Sequence, residues 1–181
     1  MIIPAIRSWN GTSVTKLSDF PELADTLRKH QYGGIILFGQ NIVDSGQTAQ
    51  LVEDLQANNA AGSFTSNIPY LMPVAEEGGV VVRFGMGTRT TGSMAVGATG
   101  ENAEQNAYLT GQILGKECAA LGFSVDFAPS VDVNNNPANP AIGVRSFSDD
   151  PEVVGRLGAA CNRGISESGV VPTLKHFPGD G

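Results

Sequence analysis

Short apolar runs alternate along the chain with longer segments whose apolar residues recur at helical spacing. Each run is short enough for a strand, and each intervening segment is long enough for a helix. This alternation predicts an α/β fold with a parallel sheet. The five predicted strands are residues 2–6, 35–38, 70–74, 123–128 and 170–174, and the predicted helices occupy 18–31, a segment beginning at Asp44, 101–121 and 150–168.

Local signals mark the helix boundaries. Ser18 is a candidate N-cap for the first helix, and Asp44 with Gln47 forms a capping-box pattern for the second. Gly122 is expected to end the third helix. Asp150-Pro151 predicts the N-cap and first position of the fourth. The small and polar residues 58–67 predict the loop that leads to the third strand.

Two architectures fit this order of elements. An open doubly wound sheet concentrates its site at one switch point, whereas a (β/α)8 barrel uses the C-terminal ends of many strands. All five predicted strands end in polar or charged residues, which favours the barrel. These residues are Asn10, Gln40-Asn41, Glu76-Glu77, Asp132 and Lys175-His176.

The fifth predicted strand carries the most informative chemistry. Its apolar residues suggest a strand buried on both faces, and Lys175 and His176 stand at its C-terminal end. Residues 177–179, Phe-Pro-Gly, then form a stiff turn. Lys and His at the end of a buried strand would lose hydration free energy on folding unless their side chains face a polar cavity. The alternative is an ordinary strand end with two solvated side chains.

Composition narrows the class of function. The formal net charge is −7 and no basic run is visible, so we expect neither nucleic acid nor an anionic membrane surface as partner. Cys118 and Cys161 form no CxxC pattern and are predicted to be buried, reduced thiols, with no disulfide or zinc site. The stretch GMGTRTTG within residues 85–100 does not satisfy GxGxxG, which argues against a nucleotide.

The N-terminal sequence predicts where the protein resides. MIIPAIRSWN has neither a basic region nor a long apolar core, so it does not resemble a signal peptide. The sequence has no apolar run of membrane-spanning length. We therefore expect a cytoplasmic location.

The segment KHFPGDG, residues 175–181, resembles the KHFPG(H/D)G signature of glycoside hydrolase family 3, in its β-N-acetylhexosaminidase branch. The resemblance covers nearly the whole chain. It implies an N-terminal (β/α)8 barrel that removes terminal β-linked sugars, usually N-acetylglucosamine, with retention at the anomeric carbon. The other similar segments, in family order and spacing, are GGIILFGQNI (33–42), PVAEEGGVVVRF (73–84), LGFSVDFAPSVDVN (121–134) and IGVRSFSDDP (142–151).

A closed barrel of this kind has eight strands and typically about 250 residues. Five strands are predicted here. Residues 1–181 are therefore interpreted as the N-terminal, incomplete part of a family 3 barrel domain, a partial TIM-type barrel.

The resemblance also assigns site residues. The family's nucleophilic aspartate and its acid/base histidine are both expected beyond Gly181, and Asp180 is not a substitute because it occupies the variable place in the signature. No catalytic residue, metal or cofactor is therefore expected within the chain. The residues that match the family's sugar-binding positions are Arg83, Arg145, Lys175 and His176. Each arginine could instead pair with a carboxylate and brace a loop.

One position departs from the family. Its VDxEGG pattern has an aspartate that accepts hydrogen bonds from sugar hydroxyls, and Ala75 occupies that place here. Adjacent Glu76 is expected to point to the opposite face of an extended strand. Three interpretations remain open: a β-N-acetylhexosaminidase, which the KHFPG form favours; a β-glucosidase of the same family; and a degenerate, non-catalytic sugar-binding protein.

Overall fold

Five extended segments run parallel to one another in chain order within the described part of the chain. The structure, a computed structural model, describes residues 1–30, 32–62 and 68–181. The last three segments contain strands β3 (Pro73–Val74), β4 (Val125–Asp126) and β5 (Val171–Pro172), which form one parallel sheet in the order β3-β4-β5.

The first two segments join this sheet through isolated parallel bridges. Ala5 pairs with Ile36, and Gly34 pairs with Leu71. Every predicted strand is thus present, although its regular ladder is shorter than predicted. The α/β class and the partial barrel predicted from the sequence are confirmed.

A small antiparallel hairpin, which the sequence analysis missed, follows the first extended segment. It pairs β1 (Ser8–Trp9) with β2 (Thr12–Ser13). The turn residues Asn10 and Gly11 both have positive φ, at 48° and 82°. Asn-Gly is the preferred dipeptide for such a turn. The signal was therefore visible in the sequence.

Helices connect the extended segments. Asp44 accepts a hydrogen bond from the backbone N–H of Gln47, at 2.8 Å, and caps the second helix as predicted. Asp150 likewise accepts from the N–H of Glu152, and Pro151 is the first helical residue, as predicted. The helices are α1 (Pro21–Lys29), α2 (Ser45–Ala60), α3 (Ser93–Gly97), α4 (Ala103–Ala120) and α5 (Pro151–Ser166).

Two helix boundaries differ from the prediction. Ser18 lies inside a separate 3₁₀ turn and caps nothing, because Pro21 begins α1 after Phe20. Helix α2 continues through residues 58–60, which were predicted to be loop. Asn58 faces α1, where it donates to the carbonyl of Ala24 at 3.1 Å. The rest of that predicted loop, residues 63–67, lies outside the described residues.

Helices α4 and α5 pack closely through small residues. A Cβ atom at Gly111 would overlap the carbonyl oxygen of Cys161, and one at Gly164 would overlap that of Tyr108. Cys118 and Cys161 are buried free thiols, as predicted. Burial raises the pKa of Cys161 to about 12.

The fifth strand is not buried on both faces, contrary to the prediction. Val170 is buried, but Val171 and Leu174 are 58% and 51% exposed. The strand is at the edge of the sheet order, so among the described residues only β4 flanks it. None of the described helices is long and apolar enough to cross a membrane.

Candidate active site

Polar side chains meet at the C-terminal ends of the last three parallel segments. Glu76 and Glu77 follow β3, Asp132 follows β4, and Lys175 and His176 follow β5. Ser130 and Lys175 form a parallel bridge, which extends the pairing of these segments to the site itself. The geometry of the sheet thus brings together residues far apart in the sequence.

Glu77 is the buried carboxylate at the centre of this cluster. Its side chain is 4% exposed. Oε2 accepts from Nε of Arg145 at 2.9 Å, and Oε1 accepts from Nη2 of Arg145 at 2.7 Å. Lys175 Nζ lies 2.5 Å from Oε1. Burial alone would raise the pKa of Glu77, but the two cations outweigh it and hold the pKa below its ordinary value.

Asp132 organises the segment that follows β5. Its Oδ2 lies 2.6 Å from Nδ1 of His176 and accepts from the Ser130 hydroxyl at 2.9 Å. Its Oδ1 accepts from the backbone N–H of Asp180 at 2.8 Å. Burial would raise the pKa of Asp132, but these hydrogen bonds outweigh it and lower the pKa. The segment His176–Asp180 is thus tied to one buried carboxylate.

Arg145 connects the two carboxylates. Besides its fork to Glu77, it donates to the carbonyl of Ala141 at 2.8 Å, and its Nη2 lies 3.3 Å from Nε2 of His176. Three of its five N–H groups therefore donate to protein acceptors, and a fourth faces the ring of His176. The bracing role weighed for the arginines thus describes Arg145, whose remaining N–H has no acceptor among the described residues.

Glu76 braces the segment after β3. Its Oε2 accepts from the backbone N–H groups of Arg83 and Phe84, at 2.5 and 3.1 Å, and the residue is 3% exposed. Burial raises the pKa of Glu76. Because Oε2 is bonded to the backbone and the residue is buried, Glu76 is not a replacement for the aspartate absent at Ala75.

Arg83 is the one predicted site residue that the structure does not bring into the cluster. Its backbone is held by Glu76, but its guanidinium makes no hydrogen bond or ion pair with any described residue. The side chain is half-buried. The aliphatic part of the side chain lies near Gly39.

Asp126 lies beneath the cluster on β4. The residue is fully buried, and its Oδ1 accepts from the N–H of Glu76 at 2.9 Å. Its Oδ2 has no hydrogen-bond partner within the described ranges. Burial raises the pKa of Asp126 to about 7, with a further contribution from the neighbouring Glu76 and Glu77. This carboxyl supports the Glu76-Glu77 segment from below.

The first two strand exits do not contribute to the cluster. Asn10 lies in the β1–β2 turn. Asn41 is fully buried and donates to the carbonyls of Ile6, Arg7 and Val14. Its polar side chain therefore has a structural role.

Sequence reasoning placed Glu77 and Asp132 at strand ends but did not predict that they hold the predicted binding residues. Both oxygens of each carboxylate are engaged, so neither is available as a nucleophile or proton donor.

A cleft of about 480 Å³ adjoins the cluster, and Asp132, Lys175 and His176 are among its lining residues. No three His, Cys, Asp or Glu side chains of the described chain are grouped so as to hold a metal ion.

Several named proteins are similar to this chain. "Beta-hexosaminidase A" of Pseudoalteromonas piscicida is 42% identical over 164 residues, which is 89% of this chain and 27% of that protein. "Beta-hexosaminidase" of Thiobacillus denitrificans is 38% identical over 154 residues, 82% of this chain and 41% of that protein. The chain thus spans less than half the length of these two relatives.

Solved structures show the same similarity. The β-N-acetylglucosaminidase of Paenibacillus sp. str. FPU-7 superposes with a TM-score of 0.86 at 39% identity, covering 99% of this chain and 32% of that one. NagZ from Neisseria gonorrhoeae in complex with N-trifluoroacetyl-D-glucosamine gives a TM-score of 0.83 at 29% identity, covering 98% of this chain and 50% of that one.

The arrangement of strand-end residues and these similarities agree with a comparison of the whole sequence with protein families. The family model described as "Glycosyl hydrolase family 3 N terminal domain" matches residues 12–181, nearly the full chain. This chain belongs to glycosyl hydrolase family 3.

Proposed function

We propose that residues 1–181 form the N-terminal part of the barrel domain of a β-N-acetylhexosaminidase, and that they bind the terminal β-linked N-acetylglucosamine of its substrate. The observation that carries this proposal is the cluster at the strand ends, where Lys175 and His176 are held by buried carboxylates. The names of the relatives and the sugar bound in the Neisseria structure support the choice of N-acetylglucosamine.

Lys175 and His176 have hydrogen-bonding capacity left for a sugar. The Lys175 ammonium has three N–H donors, and Glu77 is its one ion-pair partner among the described residues. The His176 side chain is 36% exposed, whereas its partner Asp132 is fully buried. A buried anion that positions a partly exposed binding group is a suitable arrangement for orienting a neutral ligand.

Arg83 and Arg145 complete the proposed binding set in different ways. Arg145 fixes the positions of its neighbours and offers the one N–H that has no partner among the described residues, and Arg83 offers a guanidinium that likewise has none there. Neither arginine is proposed as a catalytic residue. The retaining reaction needs a nucleophile and an acid/base group across the scissile bond. We propose that both come from parts of the barrel outside residues 1–181.

The proposal is tested by substituting Lys175 in the full-length protein. Lys175→Met keeps the aliphatic stem and removes the donors. Losing a hydrogen bond to a charged group costs about 1.5–3 kcal/mol. We therefore expect kcat/KM for a chromogenic N-acetyl-β-glucosaminide to fall by roughly 10- to 150-fold. Lys116→Met, an exposed residue of α4, is the matched control and should retain activity.

The same assay separates the alternatives. Faster hydrolysis of a chromogenic β-glucoside than of the N-acetyl-β-glucosaminide would contradict the proposed substrate and favour a β-glucosidase. Binding of N-acetylglucosamine without any hydrolysis would favour the non-catalytic interpretation, which Ala75 motivates.

A further inference from the structure

The two ring nitrogens of His176 face groups of opposite hydrogen-bonding character. Nδ1 lies 2.6 Å from a carboxylate oxygen of Asp132, and Nε2 lies 3.3 Å from Nη2 of Arg145. A carboxylate can only accept a hydrogen bond, and a guanidinium can only donate one. Both contacts are hydrogen bonds only when the ring donates at Nδ1 and accepts at Nε2.

The accounting of protons around Arg145 supports this assignment. Nη2 carries two hydrogens, and one of them is directed to Oε1 of Glu77 at 2.7 Å. The second is free to reach the lone pair on Nε2 of His176. A proton on Nε2 would place the N–H of His176 against the N–H of Arg145 Nη2. Because Glu77 holds the Arg145 fork in this position, the Nε2–H tautomer is disfavoured.

The surroundings of Asp132 fix the other side of the ring. Oδ2 already accepts from the Ser130 hydroxyl, and Oδ1 accepts from the Asp180 N–H. Both contacts hold the carboxylate in place, one from a side chain of its own segment and one from the backbone of the segment that follows β5. A fixed acceptor 2.6 Å from Nδ1 leaves the ring little freedom to flip.

We propose that Asp132 and Arg145 are positioning residues that fix His176 in one tautomer, with its proton on Nδ1 and its lone pair on Nε2, and that His176 consequently recognises a ligand hydroxyl as a hydrogen-bond acceptor. The recognition step rests on the proposed function, whereas the tautomer does not. Lys175, the next residue, can only donate. Adjacent residues thus offer one acceptor and one donor, which suits neighbouring hydroxyl groups of a sugar.

A ligand hydroxyl that reaches Nε2 shares it with the long contact from Arg145 or replaces that contact. The hydroxyl must supply the hydrogen in either case. A group that accepts but cannot donate, such as a C–F bond, is therefore not an adequate substitute at this position. At the position held by Lys175, the same replacement retains an acceptor.

The tautomer is tested by nitrogen-15 NMR of the full-length protein labelled at histidine. Two-bond correlations between ring nitrogens and ring protons differ for the Nδ1–H form, the Nε2–H form and the doubly protonated ring. The His176 signals are identified by their loss in His176→Ala. We expect the Nδ1–H pattern, and either other pattern would overturn the proposal.

A variant tests whether Asp132 sets the tautomer. Asp132→Asn offers a neutral amide to Nδ1, so we expect a mixture of tautomers. Asp44→Asn changes an exposed helix cap that bonds within α2, and it should leave the wild-type pattern. An unchanged pure Nδ1–H pattern in Asp132→Asn would overturn the positioning role of Asp132. Should Asp132→Asn fail to fold, the wild-type spectrum still decides the tautomer.

The acceptor role is tested with N-acetylglucosamine analogues in which single hydroxyls are replaced by hydrogen or by fluorine. At the hydroxyl held by His176, both replacements should weaken binding equally, by about 2- to 12-fold, and neither should weaken it in His176→Ala. Tighter binding of the fluoro than of the deoxy analogue at that hydroxyl would overturn the acceptor role. Absence of any binding by N-acetylglucosamine would overturn the proposed function and the recognition step together, whereas an Nε2–H spectrum would overturn the tautomer alone.

Discussion

Lys175 Nζ lies 2.5 Å from Oε1 of Glu77, and this ion pair joins the end of β5 to the end of β3 across the intervening strand. The same carboxylate holds the Arg145 fork. One buried anion thus positions two cations from different segments. The geometry of the candidate site therefore depends on a residue that has no free atom to offer a ligand.

Removal of the negative charge of Glu77 should lower the free energy of unfolding. Glu77→Gln leaves two cations in a buried site with a neutral partner, and breaking a buried ion pair typically destabilises a protein by about 3–5 kcal/mol. We expect a loss of this order in the free energy of unfolding, measured by urea denaturation. Glu101→Gln, at an exposed position, is the control and should change it by less than about 0.5 kcal/mol. An equally small effect for Glu77→Gln would show that solvent reaches the pair.

Asp126 should make stability depend on pH. Its pKa is about 7 in the folded protein and about 3.9 in an unfolded chain, so the folded state binds more protons between these values. Its contribution is therefore fully present below about pH 4 and is lost as the pH rises through about 7. Asp126→Asn should remove this loss, which amounts to about 2–3 kcal/mol when urea unfolding is compared at pH 5 and pH 8.

The control for this experiment is Asp149→Asn, which changes an exposed carboxylate. It should follow the wild-type pH dependence. The assignment to Asp126 is wrong if Asp126→Asn and the wild-type protein lose the same stability between pH 5 and pH 8.

The close packing of α4 and α5 predicts opposite effects for two glycines. Gly111→Ala would press a methyl group into the backbone of α5 at Cys161, and overpacking of this kind costs about 1–3 kcal/mol. Gly155→Ala, in the exposed middle of α5, meets no atom and should stabilise the helix by about 0.5–1 kcal/mol. Thermal unfolding of both variants checks the prediction, and a destabilised Gly155→Ala would contradict it.

Restoring the aspartate missing at Ala75 should tighten sugar binding, if the pocket otherwise follows the family pattern. A charge-assisted hydrogen bond is worth about 1.5–3 kcal/mol, which corresponds to roughly 10- to 150-fold in an inhibition constant. We expect this gain for Ala75→Asp with an N-acetylglucosamine-like inhibitor. Ala75→Asn, equal in shape and uncharged, should gain only about 2- to 12-fold. Equal or weaker binding by the Asp variant would mean that the pocket is built around alanine.

Helix ends were predictable because their signals are local. Asp44, Asp150 and Gly122 each act on backbone groups within a few residues, and all three behave as predicted. Ser18 carries the same kind of signal, but the fixed φ of Pro21 sets the start of α1 instead. When Ser18 and Pro21 both signal a helix start, neither residue alone shows which signal sets the boundary.

The interactions within the site were less predictable because they are not local. Glu77 and Arg145 are 68 positions apart, and Asp132 and His176 are 44 apart. The sequence shows that Glu77, Asp132 and His176 stand near strand ends, and the parallel order predicts that these ends converge. Arg145 lies in the connection between β4 and α5, where no strand end marks its position. Which carboxylate meets which cation depends on side-chain geometry, so the patterns could not distinguish a ligand contact from a brace at Arg145.

The two hydrogen bonds that Glu76 accepts close residues 76–84 into a ring of fixed length. Inserting or deleting one residue within that ring would move the Arg83 and Phe84 N–H groups away from the carboxylate, while β3 and α4 could remain intact. Variation in loop length among relatives should therefore be excluded from this interval and concentrated after residue 84. An alignment of many relatives would then show a segment without gaps from 76 to 84, next to one in which gaps are common.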